Sequence, residues 1–311
     1  MKIVIAEPIS AVAIEMLKAQ PGWDVVISNP KEFAQHLPDA VALFVRSGVK
    51  VSAAVLAQAP KLKAVGRVGV GVDNLDLPAL AAAGVVAMNT PGGNAVAVAE
   101  LTLGFMLSMA RSIPQASAST KSGKWEKKIF QGSELRGKTL GIVGLGAIGR
   151  EVAKRAAAFA MTLVAYDPFV SPEVAEKLGV KLVELSTLYT ASDYITLHLG
   201  VTPETHGMLN DAAFAQMKKG VRIVNCARGE LIDAAALVRA IESGKVSGAA
   251  LDVFETEPPA AGDALLASDA VFATPHIGGA TGEAQEMVGI QIAEQVRDFL
   301  TTGVARNAVK T

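Results

Sequence analysis

The chain has 311 residues, half of them hydrophobic, and its 29 Lys and Arg against 30 Asp and Glu give a net charge of −1. That length suits two domains with separate cores. The balanced charge excludes a nucleic acid or an anionic membrane surface as the natural partner. A single cysteine, Cys226, excludes an internal disulfide framework and a thiolate-rich metal site, and points to a reducing cytoplasm. No metal is expected.

In chain order, the N-terminal apolar run is stopped by Glu7 and Pro8, too early for a signal peptide. Strand-like runs follow at Ile3 to Ile5, Val25 to Ile27, Ala42 to Val45, Lys63 to Val65 and Val85 to Met88. Helical segments near 10–19, 53–58 and 78–83 separate them. Such βαβα alternation predicts a parallel sheet covered on both faces. Asn94 to Ala110 reads as one buried helix; Glu100 interrupts it, and it is too short to span a membrane. The polar stretch Gln115 to Gln131 reads as an excursion or a partner surface. A second alternating series places strands at 139–143, 162–166, 194–197, 222–225, 249–253 and 271–273, each an apolar run of the kind buried parallel strands require. A last helix, about 282–300, has no strand after it, which suggests a return to the first domain.

Residues 139–150, TLGIVGLGAIGR, place Gly144, Gly146 and Gly149 in a G-x-G-x-x-G pattern between a strand and an Ala-rich helix. The first glycine permits the tight turn, the second lets a pyrophosphate approach the backbone, and the third lets helix and strand pack closely. Asp167 ends the next strand, 23 residues after Gly144, where a carboxylate accepts ribose hydroxyls and repels a 2′-phosphate. The expected cofactor is therefore NAD rather than NADP. An earlier glycine-rich turn, GRVGVGVDNLD at 66–76, has the wrong order for a nucleotide. It is equally an ordinary strand–helix turn or a site where the Gly69 and Val70 N–H groups meet a small carboxylate.

Three reactive side chains lie just past three consecutive strands: Arg228, Glu257 and His276. Ligands of open α/β sheets bind at such carboxyl ends. Arg228 could grip a carboxylate and polarise a carbonyl. His276 could exchange a proton with a substrate oxygen, with Glu257 orienting the ring. A surface ion pair with a capping histidine is the bland alternative. His36 and His206 sit in polar segments, and His198 ends a strand. Cys226 has no local activating base and reads as a small residue in a tight turn rather than a nucleophile.

The stretches GRVGVGVDNLD, MNTPGGNAVAVAELTLG, GKTLGIVGLGAIGREVA, FAQMKKGVRIVNCARGELID, GAALDVFETEPP and TPHIGG carry a resemblance over essentially the whole chain. The sequence resembles the D-isomer-specific 2-hydroxyacid dehydrogenases, and within them the branch acting on 3-phosphoglycerate. The resemblance implies two α/β domains with parallel sheets, Rossmann-like and flavodoxin-like. The cofactor domain, 94–284, would be inserted into a discontinuous substrate domain, 1–93 plus 285–311, with the two connections acting as hinges for closure over substrate.

It also implies hydride transfer between NAD and C2 of a D-2-hydroxy acid, at best 3-phosphoglycerate to 3-phosphohydroxypyruvate, the opening step of serine synthesis. Arg228 would bind substrate, and Glu257 with His276 would form the acid/base dyad. Cofactor positions carry over to Val70, Gly144, Gly146, Ala147, Ile148, Gly149, Asp167, Leu199, Cys226, Ala227, Arg228, Asp252, His276, Ile277, Gly278 and Gly279. Gly69 and Val70 match the carboxylate-binding loop, and Asn94 lines the substrate cleft. Arg46 and Arg67 are candidates for the substrate phosphate. The family further implies a homodimer formed through 94–140. Leu199-Gly200 replaces the Thr-Pro of many relatives, losing a hydroxyl near the cofactor. Many relatives continue into serine-binding domains; this sequence ends at Thr311, so no such domain is expected. Two alternatives remain: a glyoxylate/hydroxypyruvate reductase, or an NAD-sensing binding protein of the corepressor type on the same scaffold.

Overall fold

The structure, a computed structural model, describes residues 1–310. By internal contacts the chain divides into two units: Met1–Asn94 with Gly279–Thr311, and Ala95–Gly278. The chain re-enters the first unit after Gly278, ahead of the expected step at 284–285. Asn94 and Gly279, where the first unit is left and rejoined, are adjacent: a Cβ on Gly279 would lie 3.0 Å from Asn94 Nδ2.

The first unit contains β1 (Lys2–Ile5), α1 (Ala11–Lys18), β2 (Asp24–Ile27), β3 (Ala40–Val45), α2 (Ala53–Ala57), β4 (Ala64–Arg67), α3 (Leu77–Ala82) and β5 (Val86–Met88). The strands form one parallel sheet in the order β2-β1-β3-β4-β5. Successive side chains of a strand point to opposite faces, and the core obeys that period. Ile3, Ile5, Ala42 and Phe44 pack on one side, while Val4, Leu43 and Val45 pack on the other with Leu56 and Leu80.

The second unit contains α4 (Ala95–Arg111), α5 (Ile113–Lys121), β6 (Thr139–Val143), α6 (Ala147–Ala158), β7 (Thr162–Tyr166), α7 (Pro172–Glu176), β8 (Lys181–Leu182), α8 (Leu185–Ala191), β9 (Tyr194–Leu197), α9 (Asp211–Gln216), β10 (Val221–Asn225), α10 (Ala234–Glu242), β11 (Val246–Leu251) and β12 (Val271–Ala273). Its parallel sheet runs β12-β11-β10-β9-β6-β7-β8, so the order reverses between β6 and β9. That is the doubly wound arrangement whose ligand crevice lies at the reversal. One face carries α4 and α6 through Val98, Met106, Val152 and Ala153; the other carries α8 to α10 through Leu188, Phe214 and Leu237. The expected polar excursion begins inside α5, which meets α4 at a 61° bend. Among the described residues no single helix is long and apolar enough to cross a membrane.

The last helix, α11 (Gly282–Thr302), belongs to the first unit. Thr281 Oγ1 caps its start by accepting the Ala284 N–H at 3.1 Å, and Gly303 ends it at φ +80°. Its apolar stripe, Val288, Ile292 and Val296, covers Ile5, Phe44 and Met88 of the first sheet. Ile292 is fully buried in that stripe. Ile292→Ala is therefore expected to lower unfolding stability by about 2–5 kcal/mol. Urea denaturation of the purified chain measures it, and a loss below about 0.5 kcal/mol would show that α11 does not close this core.

Candidate active site

Gly144 follows β6 with φ +93°, a conformation open to glycine, and a Cβ there would also strike the His198 carbonyl beyond β9. Leu199 Cβ would lie 3.3 Å from it, so Leu199 stands at the sheet's reversal point beside the glycine loop. A Cβ on Gly149 would collide with the Gly144 carbonyl oxygen. Gly146 differs: no protein atom lies within 4 Å of its missing Cβ. The glycine opens space toward something outside the fold. It is also the N-cap of α6 and offers no side chain to the first N–H groups of that helix, with Ala147 and Ile148 in its first turn. Uncapped N–H groups and the positive end of the helix dipole form a phosphate cradle.

Asp167, just past β7, closes the loop from the other side. Its Oδ2 accepts the Leu145 N–H at 2.8 Å and its Oδ1 the Phe169 N–H at 2.9 Å. Arg150 Nε donates to the Leu145 carbonyl at 3.0 Å, so both polar groups of this buried loop residue are held by charged side chains. The open glycine, the uncapped helix and the carboxylate at the second strand together fit a dinucleotide.

The three reactive residues come from neighbouring strand ends, β10, β11 and β12. Asn225, 1% exposed, ends β10 and braces the next turn: its Oδ1 accepts the Ala227 N–H at 3.0 Å and its Nδ2 donates to the Arg228 carbonyl at 2.7 Å. Arg228 Nη1 donates to the Ala227 carbonyl at 2.6 Å. Cys226, beside it, is buried, and that burial pushes its thiol up to about 12. A thiol that stays protonated at neutral pH is no nucleophile.

Asp252, just past β11 and almost fully buried, organises the loop after β12. Its Oδ1 accepts the Thr274 hydroxyl at 2.6 Å and the Ile277 N–H at 2.8 Å, and its Oδ2 accepts the Gly278 N–H at 2.7 Å. The Asp252 carbonyl accepts the His276 N–H at 2.8 Å. Those bonds hold His276 at φ +52°, a conformation that non-glycine residues seldom adopt and that collects at functional sites. His276 Nδ1 lies 2.8 Å from Glu257 Oε2, while Glu257 Oε1 accepts the Phe254 N–H at 3.1 Å. A carboxylate only accepts, so Nδ1 carries the proton and Nε2 presents its lone pair. Half of the His276 side chain is solvent-accessible.

The other histidines have different surroundings. His198 Nε2 is 2.9 Å from Thr196 Oγ1 and its Nδ1 is buried without a partner, so desolvation pushes its pKa down to about 3. His206 is exposed, and His36 is half-buried in a 3₁₀ stretch.

Arg46, Arg67, Gly69, Val70 and Asn94 lie in the first unit. Arg67 ends β4, with its guanidinium over Gly69 and Nη1 3.3 Å from the Val68 carbonyl. Asn89 Nδ2 donates to the Val70 carbonyl at 2.6 Å. Asn94 Oδ1 is buried with no hydrogen-bond partner, which suits a neighbour from outside the chain. Sequence reasoning overlooked the bracing residues Asn225, Thr274, Asn89, Glu7 and Asn74. A polar residue closing an apolar strand run, as Asn225 and Asn89 do, is the available signal.

Residues 103–278, more than half of the chain, match the family model "D-isomer specific 2-hydroxyacid dehydrogenase, NAD binding domain". The chain is 49% identical over 312 aligned residues to a D-3-phosphoglycerate dehydrogenase of Archaeoglobus fulgidus, covering 99% of this chain and 59% of that protein. It thus spans less than two thirds of that relative's length. Among solved structures, the TT0316 protein from Thermus thermophilus superposes with a TM-score of 0.90 at 34% identity, covering 100% of both chains. A glyoxylate reductase from Paecilomyes thermophila gives 0.88 at 30% identity, covering 99% of this chain and 98% of that one. With its doubly wound NAD-binding unit, the chain belongs to the D-isomer specific 2-hydroxyacid dehydrogenase family.

Proposed function

We propose that the chain oxidises and reduces a D-2-hydroxy acid at C2, with 3-phosphoglycerate and 3-phosphohydroxypyruvate as the physiological pair. One observation carries the chemistry: the Glu257–His276 hydrogen bond at 2.8 Å, which leaves His276 Nε2 with no partner among the described residues. In oxidation Nε2 takes the proton of the C2 hydroxyl as the C2–H bond breaks, and in reduction it returns that proton to the oxygen. Glu257 fixes the ring's tautomer and stabilises the imidazolium that forms. Arg228 holds the substrate carboxylate and draws charge toward the carbonyl oxygen. NAD, when bound, accepts or supplies the hydride.

For the cofactor, Gly144, Gly146, Ala147, Ile148 and Gly149 hold the pyrophosphate, and Asp167 the adenosine ribose. Leu199, Cys226, Ala227, Asp252, Ile277, Gly278 and Gly279 line its nicotinamide half. Substrate contacts come from Gly69, Val70, Asn94, Arg46 and Arg67, the two arginines meeting the phosphate. The name of the Archaeoglobus fulgidus relative supports the phosphorylated substrate. The glyoxylate reductase neighbour favours a second choice, glyoxylate or hydroxypyruvate. NADH oxidation with 3-phosphohydroxypyruvate, hydroxypyruvate and glyoxylate separates them; equal kcat/KM on all three favours the general reductase.

His276→Ala is expected to lower kcat about 10²–10⁴-fold. NADH affinity, measured by fluorescence titration, is expected to persist. Unchanged turnover would remove the acid role; no turnover in the wild type, with NADH still bound, would favour a purely NAD-binding protein. Asp167→Asn keeps an oxygen for the Leu145 N–H but removes the charge facing a 2′-phosphate. It is expected to raise NADPH over NADH preference at least about tenfold, read as the ratio of kcat/KM values. A constant ratio contradicts the role given to Asp167.

The chain works in the cytoplasm as a homodimer in this proposal. Ile113, Trp125 and Ile129, 50%, 77% and 68% exposed within the 94–140 segment, supply apolar surface for the contact. Trp125→Glu is expected to shift the species seen in sedimentation velocity from dimer to monomer; a wild-type monomer would refute the contact.

A further inference from the structure

The first unit holds one buried carboxylate that the proposed chemistry does not use. Glu7, two residues past β1, is 8% exposed. Its Oε2 accepts the N–H groups of Arg46 at 2.6 Å and Val49 at 3.0 Å, and its Oε1 accepts that of Gly48 at 2.9 Å. From the other side Asn74 Nδ2 donates to the carbonyls of Arg46 at 2.7 Å and Val49 at 2.6 Å. Two side chains therefore satisfy five backbone groups of the turn Arg46–Val49. A ring of converging N–H groups is an anion site, and here the chain's own carboxylate fills it. No lysine or arginine forms an ion pair with Glu7 among the described residues; these N–H bonds compensate its buried charge.

Loops beyond strand ends are ordinarily the mobile part of an α/β fold. This one is held on both sides, and it presents a half-buried arginine, Arg46, whose guanidinium forms no hydrogen bond or ion pair among the described residues. An unpaired cation carried on a fixed stretch of backbone is complementary to an anion from outside the chain. The guanidinium fork matches phosphate oxygens in pairs, and holding its backbone in advance lowers the ordering cost of gripping one.

We propose that Glu7 and Asn74 are positioning residues: they hold Arg46 for the substrate's phosphate and so set the preference for phosphorylated over unphosphorylated 2-keto acids. The inference rests on Arg46 being a phosphate ligand, as in the proposed function. Glu7→Gln keeps the shape of the side chain but turns an NH₂ group toward backbone N–H groups. Asn74→Ala removes the brace from the carbonyl side.

The test measures KM and kcat with 3-phosphohydroxypyruvate and with hydroxypyruvate, at saturating NADH, in the full chain. A wild type that does not prefer the phosphorylated acid refutes the proposed substrate, and this inference with it. Where the preference exists, Glu7→Gln is expected to raise KM for 3-phosphohydroxypyruvate about tenfold or more, the worth of one charge-assisted hydrogen bond. KM for hydroxypyruvate and the Kd of NADH should stay within about twofold, and in an Arg46→Ala background Glu7→Gln should add no further loss. Equal loss on both substrates, an additive loss in the Arg46→Ala background, or no change at all would overturn the positioning role. Asn74→Ala should reproduce the same split between substrates, and it decides the matter if Glu7→Gln does not fold.

Discussion

A parallel strand that stops inside a protein leaves the following N–H groups without a ladder partner, and each must find an acceptor. In this chain the acceptors are short carboxylates and amides set at the strand ends. Glu7 follows β1, Asp167 follows β7, Asn225 closes β10 and Asp252 follows β11. Each of them takes at least one N–H from a loop that carries candidate site residues. The reactive side chains thus stand on backbone that has lost its freedom before any ligand arrives, which is what preorganised chemistry requires. Asn225 and Asp252 are joined as well, because the Asp252 N–H donates to the Asn225 carbonyl at 2.9 Å. The turn holding Arg228 and the loop holding His276 therefore share one extension of the β10–β11 ladder.

This arrangement couples binding to loop geometry. Asp167 bonds the glycine loop through Oδ2, yet each carboxylate oxygen carries a second lone pair for a ribose hydroxyl. With Asp167 in its proposed place at the ribose, a change there to accommodate a 2′-phosphate acts on two things at once, the charge offered to the cofactor and the anchor of Leu145. Arg150 holds the opposite end of that residue, at its carbonyl. Charge and loop conformation are separable only by a side chain that keeps an oxygen where Oδ2 stands.

Much of the architecture was legible because its physics is local. Apolar β-branched runs marked most of the strands, and a glycine pattern between a strand and a helix marked the turn from β6 into α6. Arg228, Glu257 and His276 were legible as reactive types just past strand ends. What escaped notice depends on partners distant in sequence. Glu7 holds residues 39 to 42 positions later, and nothing near Glu7 announces that. Asn74 reaches back 28 positions to Arg46. Asn225 looked like an ordinary end to a strand until its amide was seen to bridge Ala227 and Arg228. The strand β8 is two residues long, below any periodic signal, and α5 is hidden in a polar stretch with no buried residue to give it an apolar face. The return of the chain to the first unit at Gly279 follows from packing around Asn94, which composition does not encode.

Two histidines follow strands in the same sheet, His198 after β9 and His276 close after β12, and burial separates their chemistry. Transferring a proton to a ring near neutral pH requires surroundings that stabilise the cation. At His198 the ring is desolvated, Nδ1 has no partner, and no carboxylate is bonded to it; with its pKa pushed down to about 3 it stays neutral, its Nε2 tied to Thr196. At His276 the ring is half accessible, Nδ1 is bonded to a carboxylate, and Nε2 is left for a ligand. Only the second ring combines a bonded carboxylate with a nitrogen open to a ligand. Sequence position put both rings after strands and singled out His276 for proton exchange; the carboxylate of Glu257 and exposure to solvent are the surroundings on which that proposed role rests.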